Sequence, residues 1–273
     1  MAEGRIALIA GQGRLPELLA AAAPQAAVME MEGFPTGLPG AERFRFERLV
    51  PFMDRLHELG VDRLVFAGRI HRPKLEPEFF DLRTAQLVPR VVTAMGRGDD
   101  GLLREVLAIF EEEGFRVLGA EALRPDLVPG EGVLTRAEPS AADRHDVARA
   151  AAIVAAVGAL DVGQGAVVAQ GQCLAVEALP GTDAMLDFVA RTGRRTDPKG
   201  AKGVVFKAPK PGQDRRVDLP ALGPSTVEAA AAAGLSGIAF EAGGVLMVDR
   251  AAMVAEADRR GIFLWGRAPE TAA

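Results

Sequence analysis

The sequence is poor in the residues that build disulfide frameworks and structural zinc sites. Its 273 residues include a single cysteine, Cys173, and three histidines. No disulfide can therefore form within the chain, which suits a reducing compartment, and a structural zinc site would lack ligands. We expect Cys173 to behave as a buried apolar residue.

Long apolar runs are also missing. No uninterrupted apolar segment is long enough to span a bilayer, and residues 1–5 show neither the apolar core nor the cleavage site of a signal peptide. The net charge is −5, from 32 basic and 37 acidic residues, and no long basic run occurs. We expect a cytoplasmic protein with no nucleic-acid partner and at most peripheral contact with a membrane.

Apolar segments and helical patterns alternate through the first half of the chain. Residues 5–10, 26–31, 63–67 and 115–119 have the length and composition of buried strands, with helical patterns between them. This alternation is typical of an α/β fold in which helices cover a parallel sheet.

A change in composition separates the two halves of the chain. Residues 124–142 are rich in proline and in glycine-bounded turns, and we predict a linker at 129–142. The linker would join an N-terminal domain, residues 1–128, to a C-terminal α/β domain, residues 143–273. The second half contains a predicted hairpin around residues 170–172, so its strands pair by hairpins as well as by crossovers.

A glycine turn follows the first predicted strand. Gly11 and Gly13 precede a helix, where close backbone approach and the helix N-terminus can favour a phosphate. Glu30 and Glu32 follow at the end of the second strand, where an NAD site places its ribose carboxylate, but Pro16 replaces the third glycine of that fingerprint. The turn is therefore either a phosphate or nucleotide site or a tight strand-to-helix connection.

An acidic pair and two polar turns are further candidate sites. Asp99 and Asp100 lie in a glycine-bounded loop, where they could hold a hard cation or cap the following helix. Gln164 lies in a glycine-flanked turn before a strand, where it could face a ligand or bridge backbone groups. Thr182 and Asp183 open a later helix, as a cap or as part of an anion-binding or hydroxyl-binding turn.

The densest group of charges lies in a proline-rich loop between residues 207 and 223. Cations grouped around one carboxylate suit a pyrophosphate with a metal ion, because cations neutralise phosphate oxygens and a carboxylate holds the metal or the attacking water. A solvated charged face is the alternative, although the prolines favour fixed positions. The polar residues of this loop include Lys207, Lys210, Gln213, Arg215, Arg216 and Asp218.

Eight stretches, in order along nearly the whole chain, form a recognisable pattern: LIAGQGRLP (8–16), FAGRIHRP (66–73), GDDGLL (98–103), FEEEGF (110–115), DVGQGAVV (161–168), AVEALPGTDAML (175–186), KAPKPGQDRRVDLPALG (207–223) and AGLSGIAFEAG (233–243). These stretches resemble the LpxI family, the UDP-2,3-diacylglucosamine pyrophosphatases of lipid A biosynthesis. The lysine–aspartate loop and the GTDAM turn are specific to that pattern, whereas the glycine turn is not.

The resemblance implies a Rossmann-like N-terminal domain and a C-terminal α/β domain, with the substrate held between them. It also implies Mg²⁺-dependent hydrolysis of UDP-2,3-diacylglucosamine to lipid X and UMP, with water attacking the phosphorus nearer the sugar, by a homodimer. Asp218 corresponds to the functionally critical aspartate, and we expect it to be catalytic and to bind the metal.

We expect Lys207 and Lys210 to be catalytic together with Asp218. The expected substrate-binding residues are Gly11, Gly13, Asp99, Asp100, Gln164, Thr182, Asp183, Gln213 and Arg215. Two alternatives remain open, an NAD-dependent oxidoreductase and a non-catalytic protein that binds nucleotide sugars. The charged loop argues against both, since hydride transfer needs no such cations and simple binding needs no metal.

Overall fold

The structure, a computed structural model, describes residues 4–70, 74–96 and 98–269, except for the side chain of Asp99. Residues 71–73, the end of the FAGRIHRP stretch, therefore lie outside the described residues. The chain divides into two compact units, Met1–Pro125 and Asp126–Ala273.

The first unit is built on a five-stranded parallel sheet in the order β3-β2-β1-β4-β5. This order, with β1 at the centre and the chain crossing to the other side after β3, is that of a Rossmann-like sheet. Its elements are β1 (Arg5–Ala10), α1 (Arg14–Ala22), β2 (Ala27–Met31), β3 (Glu42–Phe44), α2 (Leu49–Glu58), β4 (Val61–Ala67), α3 (Leu82–Ala85), α4 (Val88–Met95), α5 (Gly98–Glu112) and β5 (Arg116–Leu118).

The apolar composition of β1 explains its central position. Residues 7–10 of this strand are buried, because in a parallel sheet covered by helices both faces of a central strand lie in the core. Helix α2 shows the complementary pattern, since its apolar residues recur at helical spacing and face the sheet. The buried residues of α2 are Leu49, Val50, Phe52, Met53 and Leu56.

The second unit contains a six-stranded mixed sheet in the order β6-β13-β11-β9-β7-β8, and β10 pairs with β12 separately. Strands β9, β11 and β13 are parallel, whereas β6, β7 and β8 pair antiparallel to their neighbours. Its elements are β6 (Gly132–Val133), α6 (Ala141–Ala159), β7 (Gly165–Ala169), β8 (Gln172–Val176), α7 (Gly181–Thr192), β9 (Val204–Lys207), β10 (Ala221–Leu222), α8 (Pro224–Ala232), β11 (Gly237–Glu241), β12 (Leu246–Met247), α9 (Arg250–Arg260) and β13 (Phe263–Arg267).

The α/β fold class with a parallel N-terminal sheet is confirmed, but several elements differ from the sequence predictions. Residues 129–142, predicted as a linker, belong to the second unit, where β6 pairs with β13 and Ser140 caps α6. Strands β3, β10, β11 and β13 were not predicted. Cys173 was expected to be buried, yet it is exposed on β8, which is an edge strand.

Candidate active site

Most of the predicted site residues lie near the carboxyl ends of the parallel strands in the second unit. Lys207 ends β9, and the loop that follows it contains Lys210, Gln213, Arg215 and Asp218. Strand β7 runs antiparallel to β9, so the turn before β7 lies at the same edge. The backbone carbonyl of Gln164 accepts a hydrogen bond there from the amide of Ala208 at 3.2 Å.

Lys207 is buried, and its ammonium group is held by two side chains from neighbouring elements. Nζ lies 3.3 Å from Oε2 of Glu177, directly after β8, and donates a hydrogen bond to Oγ1 of Thr182 in the first turn of α7. Lys207 is 3% exposed and Glu177 is 7% exposed. A buried ion pair of this kind depends on both partners, because removing one leaves an uncompensated charge in the interior.

Gly165 provides the space that Glu177 occupies. Gly165 is the β7 residue directly opposite Lys207, and the amide of Glu177 donates a hydrogen bond to its carbonyl at 2.8 Å. A Cβ atom at Gly165 would overlap Oε2 of Glu177. The glycine at the start of β7 is therefore required by the carboxylate that reaches across it to Lys207.

The loop after β9 is fixed by a hydrogen-bond sequence that ends at Asp218. The backbone amide of Lys210 donates to Oε1 of Gln213 at 2.8 Å, and the amide of Gln213 donates to the carbonyl of Lys210 at 3.1 Å. Nε2 of the buried Gln213 donates in turn to Oδ2 of the half-buried Asp218. Gln213 thus orients the Asp218 carboxylate, while its own orientation is fixed by the backbone.

The remaining cations of this loop are each paired with a carboxylate. Lys210 Nζ lies 2.7 Å from Asp161 Oδ1, before β7, and Arg215 lies 2.7 Å from Oε1 of Glu241, at the end of β11. Arg216 is paired within the loop, 2.6 Å from Asp214.

This pairing corrects the interpretation that cations surround one carboxylate. Together with Lys207 and Glu177, every cation of the loop has an acidic partner. Asp218 lies beside these pairs, and its carboxylate accepts a hydrogen bond from Gln213. The loop therefore differs from the cluster of uncompensated cations that the sequence suggested.

Gln164 and the α7 turn also differ in part from the expectations. Oε1 of Gln164 is buried and accepts no hydrogen bond from the described residues, so its amide does not serve only to bridge backbone groups. Neither Thr182 nor Asp183 caps α7, because the helix begins at Gly181 with no side-chain cap. Thr182 is half-buried and bonded to Lys207, and Asp183 is exposed.

The glycine turn of the first unit is covered by its own chain. The amide of Gly11 donates to Ala67 at 2.7 Å, and Gln12 and Arg69 exchange backbone hydrogen bonds at 3.0 and 2.8 Å. A Cβ atom at Gly11 would lie 2.7 Å from the carbonyl oxygen of Arg69. These amides are used within the protein, which supports a tight connection here. Gly13, with φ of 110°, directly precedes α1.

Glu30, the residue expected to bind a ribose in an NAD site, is held by protein partners. Its Oε2 accepts from the amide and hydroxyl of Thr36, both at 2.9 Å, and its Oε1 accepts from Arg43 at 2.9 Å. The backbone hydrogen bond from Thr36 and the guanidinium of Arg43 lower the pKa of the carboxyl group. Glu30 thus fixes the turn after β2. The carboxylate that would bind the ribose of NAD was the second feature in favour of an oxidoreductase, and it is used within the protein.

Asp99 and Asp100 lie in the first unit. Helix α5 begins at Gly98, so both residues fall within its first turn, where negative charge is favourable. Within the described part of the chain, no group of three or more acidic, histidine or cysteine side chains is arranged to hold a metal ion. None of the described helices combines the length and apolar character needed to cross a membrane.

Sequence reasoning did not assign a site role to Glu177, Asp161 or Glu241. All three lie within the matching stretches, but each is far from its cationic partner along the chain. A lysine buried in an apolar strand, VVFK, was the available signal, because such a charge needs a nearby carboxylate.

Comparison with known proteins yields matches to both units. A family model described as the LpxI N-terminal domain matches residues 5–127, and one described as the LpxI C-terminal domain matches residues 130–265. The chain is 40% identical to UDP-2,3-diacylglucosamine pyrophosphatase LpxI of Caulobacter vibrioides over 276 aligned residues, which cover 97% of this chain and 98% of that relative.

Proposed function

The chain belongs to the LpxI family, and we propose that it is a hydrolase that cleaves the pyrophosphate of UDP-2,3-diacylglucosamine to lipid X and UMP. The observation that carries this proposal is the orientation of Asp218 by Gln213 within a loop of paired cations. A carboxylate held in one orientation beside cations suits phosphoryl transfer, where positioning and charge stabilisation supply most of the catalysis.

Asp218 has the central role in this proposal. Its carboxylate orients the attacking water and would also be the ligand that holds Mg²⁺, and Gln213 keeps the carboxylate in place. The ammonium of Lys210 and the guanidinium of Arg215 bind phosphate oxygens by exchanging part of their contact with Asp161 and Glu241. Lys207 contributes positive charge from below the surface, because it is almost completely buried.

Mg²⁺ belongs to this proposal because of the charge balance of the site. Each of the four loop cations is paired with a carboxylate, so much of their positive charge is already compensated before a pyrophosphate binds. Bound Mg²⁺ would neutralise phosphate oxygens, and Asp218 would hold it as a hard oxygen ligand. Few protein ligands suffice, since Mg²⁺ usually keeps waters and binds the phosphates of its substrate.

Gly11, Gly13, Asp99 and Asp100 remain proposed contacts from the first unit, with Gln164, Thr182 and Asp183 from the second. We also propose a cytoplasmic homodimer that meets its lipid substrate through at most peripheral membrane contact. Light scattering of the purified chain tests the dimer, and vesicle flotation without substrate tests the weak membrane contact.

The experiment that tests the proposed function is turnover of UDP-2,3-diacylglucosamine with Mg²⁺ in ¹⁸O-labelled water. We expect lipid X and UMP as products, with the label in the phosphate of lipid X if water attacks the phosphorus nearer the sugar. Binding of the nucleotide lipid without turnover would favour the non-catalytic alternative, and tight NAD binding would favour the oxidoreductase.

A further inference from the structure

The buried position of Lys207 in the candidate site limits how its ammonium group can act on a ligand. Lys207 is 3% exposed, so a phosphate could contact its ammonium only after the surrounding side chains moved. Thr182, which accepts a hydrogen bond from that ammonium, is half-buried and thus more accessible. Thr182 is therefore the more accessible of the two residues at this point.

The hydrogen bond from Lys207 determines what this hydroxyl can do. A threonine hydroxyl has one O–H donor and two acceptor lone pairs. Because Oγ1 accepts from an ammonium, its own O–H must point away from Lys207. Within residues 4–70, 74–96 and 98–269, this O–H forms no hydrogen bond to an acceptor. The geometry leaves the Thr182 hydroxyl as a donor polarised by a neighbouring positive charge.

Glu177 completes the arrangement by holding Lys207. Both carboxylate oxygens of Glu177 lie near Nζ, at 3.3 Å for Oε2 and 3.5 Å for Oε1. Glu177 in turn is fixed by its backbone hydrogen bond to Gly165 and by the space that this glycine leaves. The contacts therefore form a connected series. Gly165 leaves space for Glu177, Glu177 holds Lys207, and Lys207 donates a hydrogen bond to Thr182.

We propose that Thr182 donates its hydroxyl hydrogen bond to a pyrophosphate oxygen of the substrate, and that Lys207 and Glu177 are positioning residues that act through Thr182. The identification of the acceptor as a phosphate oxygen rests on the proposed function. The chemistry is consistent with it, because an oriented donor backed by a positive charge stabilises an oxygen on which negative charge develops.

Substitutions of Thr182 test this inference while keeping both charges of the buried ion pair. Thr182→Val keeps the shape and removes the hydroxyl, so kcat/KM should fall by about 100-fold, whereas Thr182→Ser should stay close to the native value. Thr192→Val is a matched control on the same helix, because the hydroxyl of Thr192 bonds only to the carbonyl of Phe188 at 2.6 Å. The control should leave kcat/KM and the affinity for inorganic pyrophosphate unchanged.

A double-mutant cycle tests whether Lys207 acts through Thr182. Lys207→Met combined with Glu177→Gln removes both charges of the buried pair together, which avoids stranding one of them. This change should lower kcat/KM at least tenfold in the native background but only within about twofold in the Thr182→Val background, since the coupled effect is already lost. An equal loss in both backgrounds would show that Lys207 acts on the ligand directly and would overturn the inference.

Calorimetric titration with inorganic pyrophosphate distinguishes a failure of the proposed function from a failure of this inference. A native chain that binds pyrophosphate without turning over the nucleotide lipid contradicts the proposed function alone. Native-like pyrophosphate affinity and kcat/KM in Thr182→Val overturn this inference, even if the paired variant does not fold. A native chain that neither binds pyrophosphate nor turns over substrate overturns both.

Discussion

The side-chain amide of Gln213 donates a hydrogen bond to Oδ2 of Asp218. Gln213 is buried, and both its backbone amide and its Oε1 are bonded to the backbone of Lys210. The orientation of the Asp218 carboxylate is thus determined by the backbone of the loop after β9.

Gln213→Ala should therefore lower kcat without removing Asp218. Loss of an orienting partner of a metal ligand or catalytic carboxylate typically costs about 10- to 100-fold in activity, and we expect kcat to fall by that factor. Steady-state kinetics of the purified variant measure the effect. Gln172→Ala is the matched control, because Gln172 is exposed on the edge strand β8. A native kcat in Gln213→Ala would show that the hydrogen bond has no catalytic role.

The space left by Gly165 predicts a second effect. Gly165→Ala places a methyl group against the Glu177 carboxylate, and relieving the overlap would pull Glu177 away from Lys207. We expect the free energy of unfolding to fall by about 1–3 kcal/mol, as for other overpacked sites, and kcat/KM to fall with it. Thermal and urea unfolding measure the stability change.

Gly130→Ala provides the control for that variant. An added Cβ atom at Gly130 would meet nothing within 4 Å, and its φ lies outside the positive range. The same substitution there should change stability by less than about 0.5 kcal/mol. Equal effects at Gly130 and Gly165 would contradict the role of the glycine opposite Lys207.

Glu30 predicts a pH-dependent contribution to stability. Its pKa is lowered by the backbone amide of Thr36 and by Arg43, so the folded protein binds its proton less readily than the unfolded chain does. The stabilisation is therefore complete above the unfolded value and is lost as the pH falls through the folded pKa. Glu30→Gln should lower the unfolding free energy by about 1 kcal/mol at pH 7, and this difference should shrink below about pH 4.3.

Urea unfolding across a pH series measures that difference. Glu42→Gln is a suitable control, because Glu42 is roughly half exposed and pairs with Arg55 at the surface. An exposed ion pair contributes little, about 0–1 kcal/mol. A constant difference between native and Glu30→Gln from pH 7 to pH 3 would show that the pKa shift does not stabilise the fold.

The local pattern of the sequence predicts some parts of this molecule and not others. Strands β1 and β4 and the β7–β8 hairpin follow from apolar runs and glycine turns, which depend on neighbouring residues. The pairing of β6 with β13 could not be foreseen, because residues 129–142 carry turn-forming residues and their hydrogen-bond partners lie more than a hundred residues later.

The candidate site shows the same division. Lys207, Lys210 and Asp218 were identified from composition and from the family resemblance. Their partners depend on sheet register, which places Glu177 beside Lys207 and Asp161 beside Lys210. The loop sequence alone therefore suggests exposed positive charge, whereas in the folded protein each of its four cations has a carboxylate partner.

The charge balance of the folded loop predicts a requirement for a divalent cation. Turnover should be abolished in excess EDTA and restored by Mg²⁺, because the four loop cations are already paired with carboxylates and a pyrophosphate adds further negative charge. Addition of KCl to the same ionic strength is the control, and it should not restore activity if binding is specific. Full turnover in EDTA, with the metal content of the sample checked, would contradict the proposed role of Mg²⁺.

The kcat of Asp218→Ala tests the central claim most directly. A surface carboxylate that only balanced its cationic neighbours would contribute at most about 1 kcal/mol, whereas one that orients water or metal acts chiefly in the transition state. We predict a folded variant, shown by a circular dichroism melt, that still binds UMP and loses several orders of magnitude in kcat. A folded variant that keeps more than about a tenth of the native kcat, a barrier change under about 1.4 kcal/mol, would contradict the account.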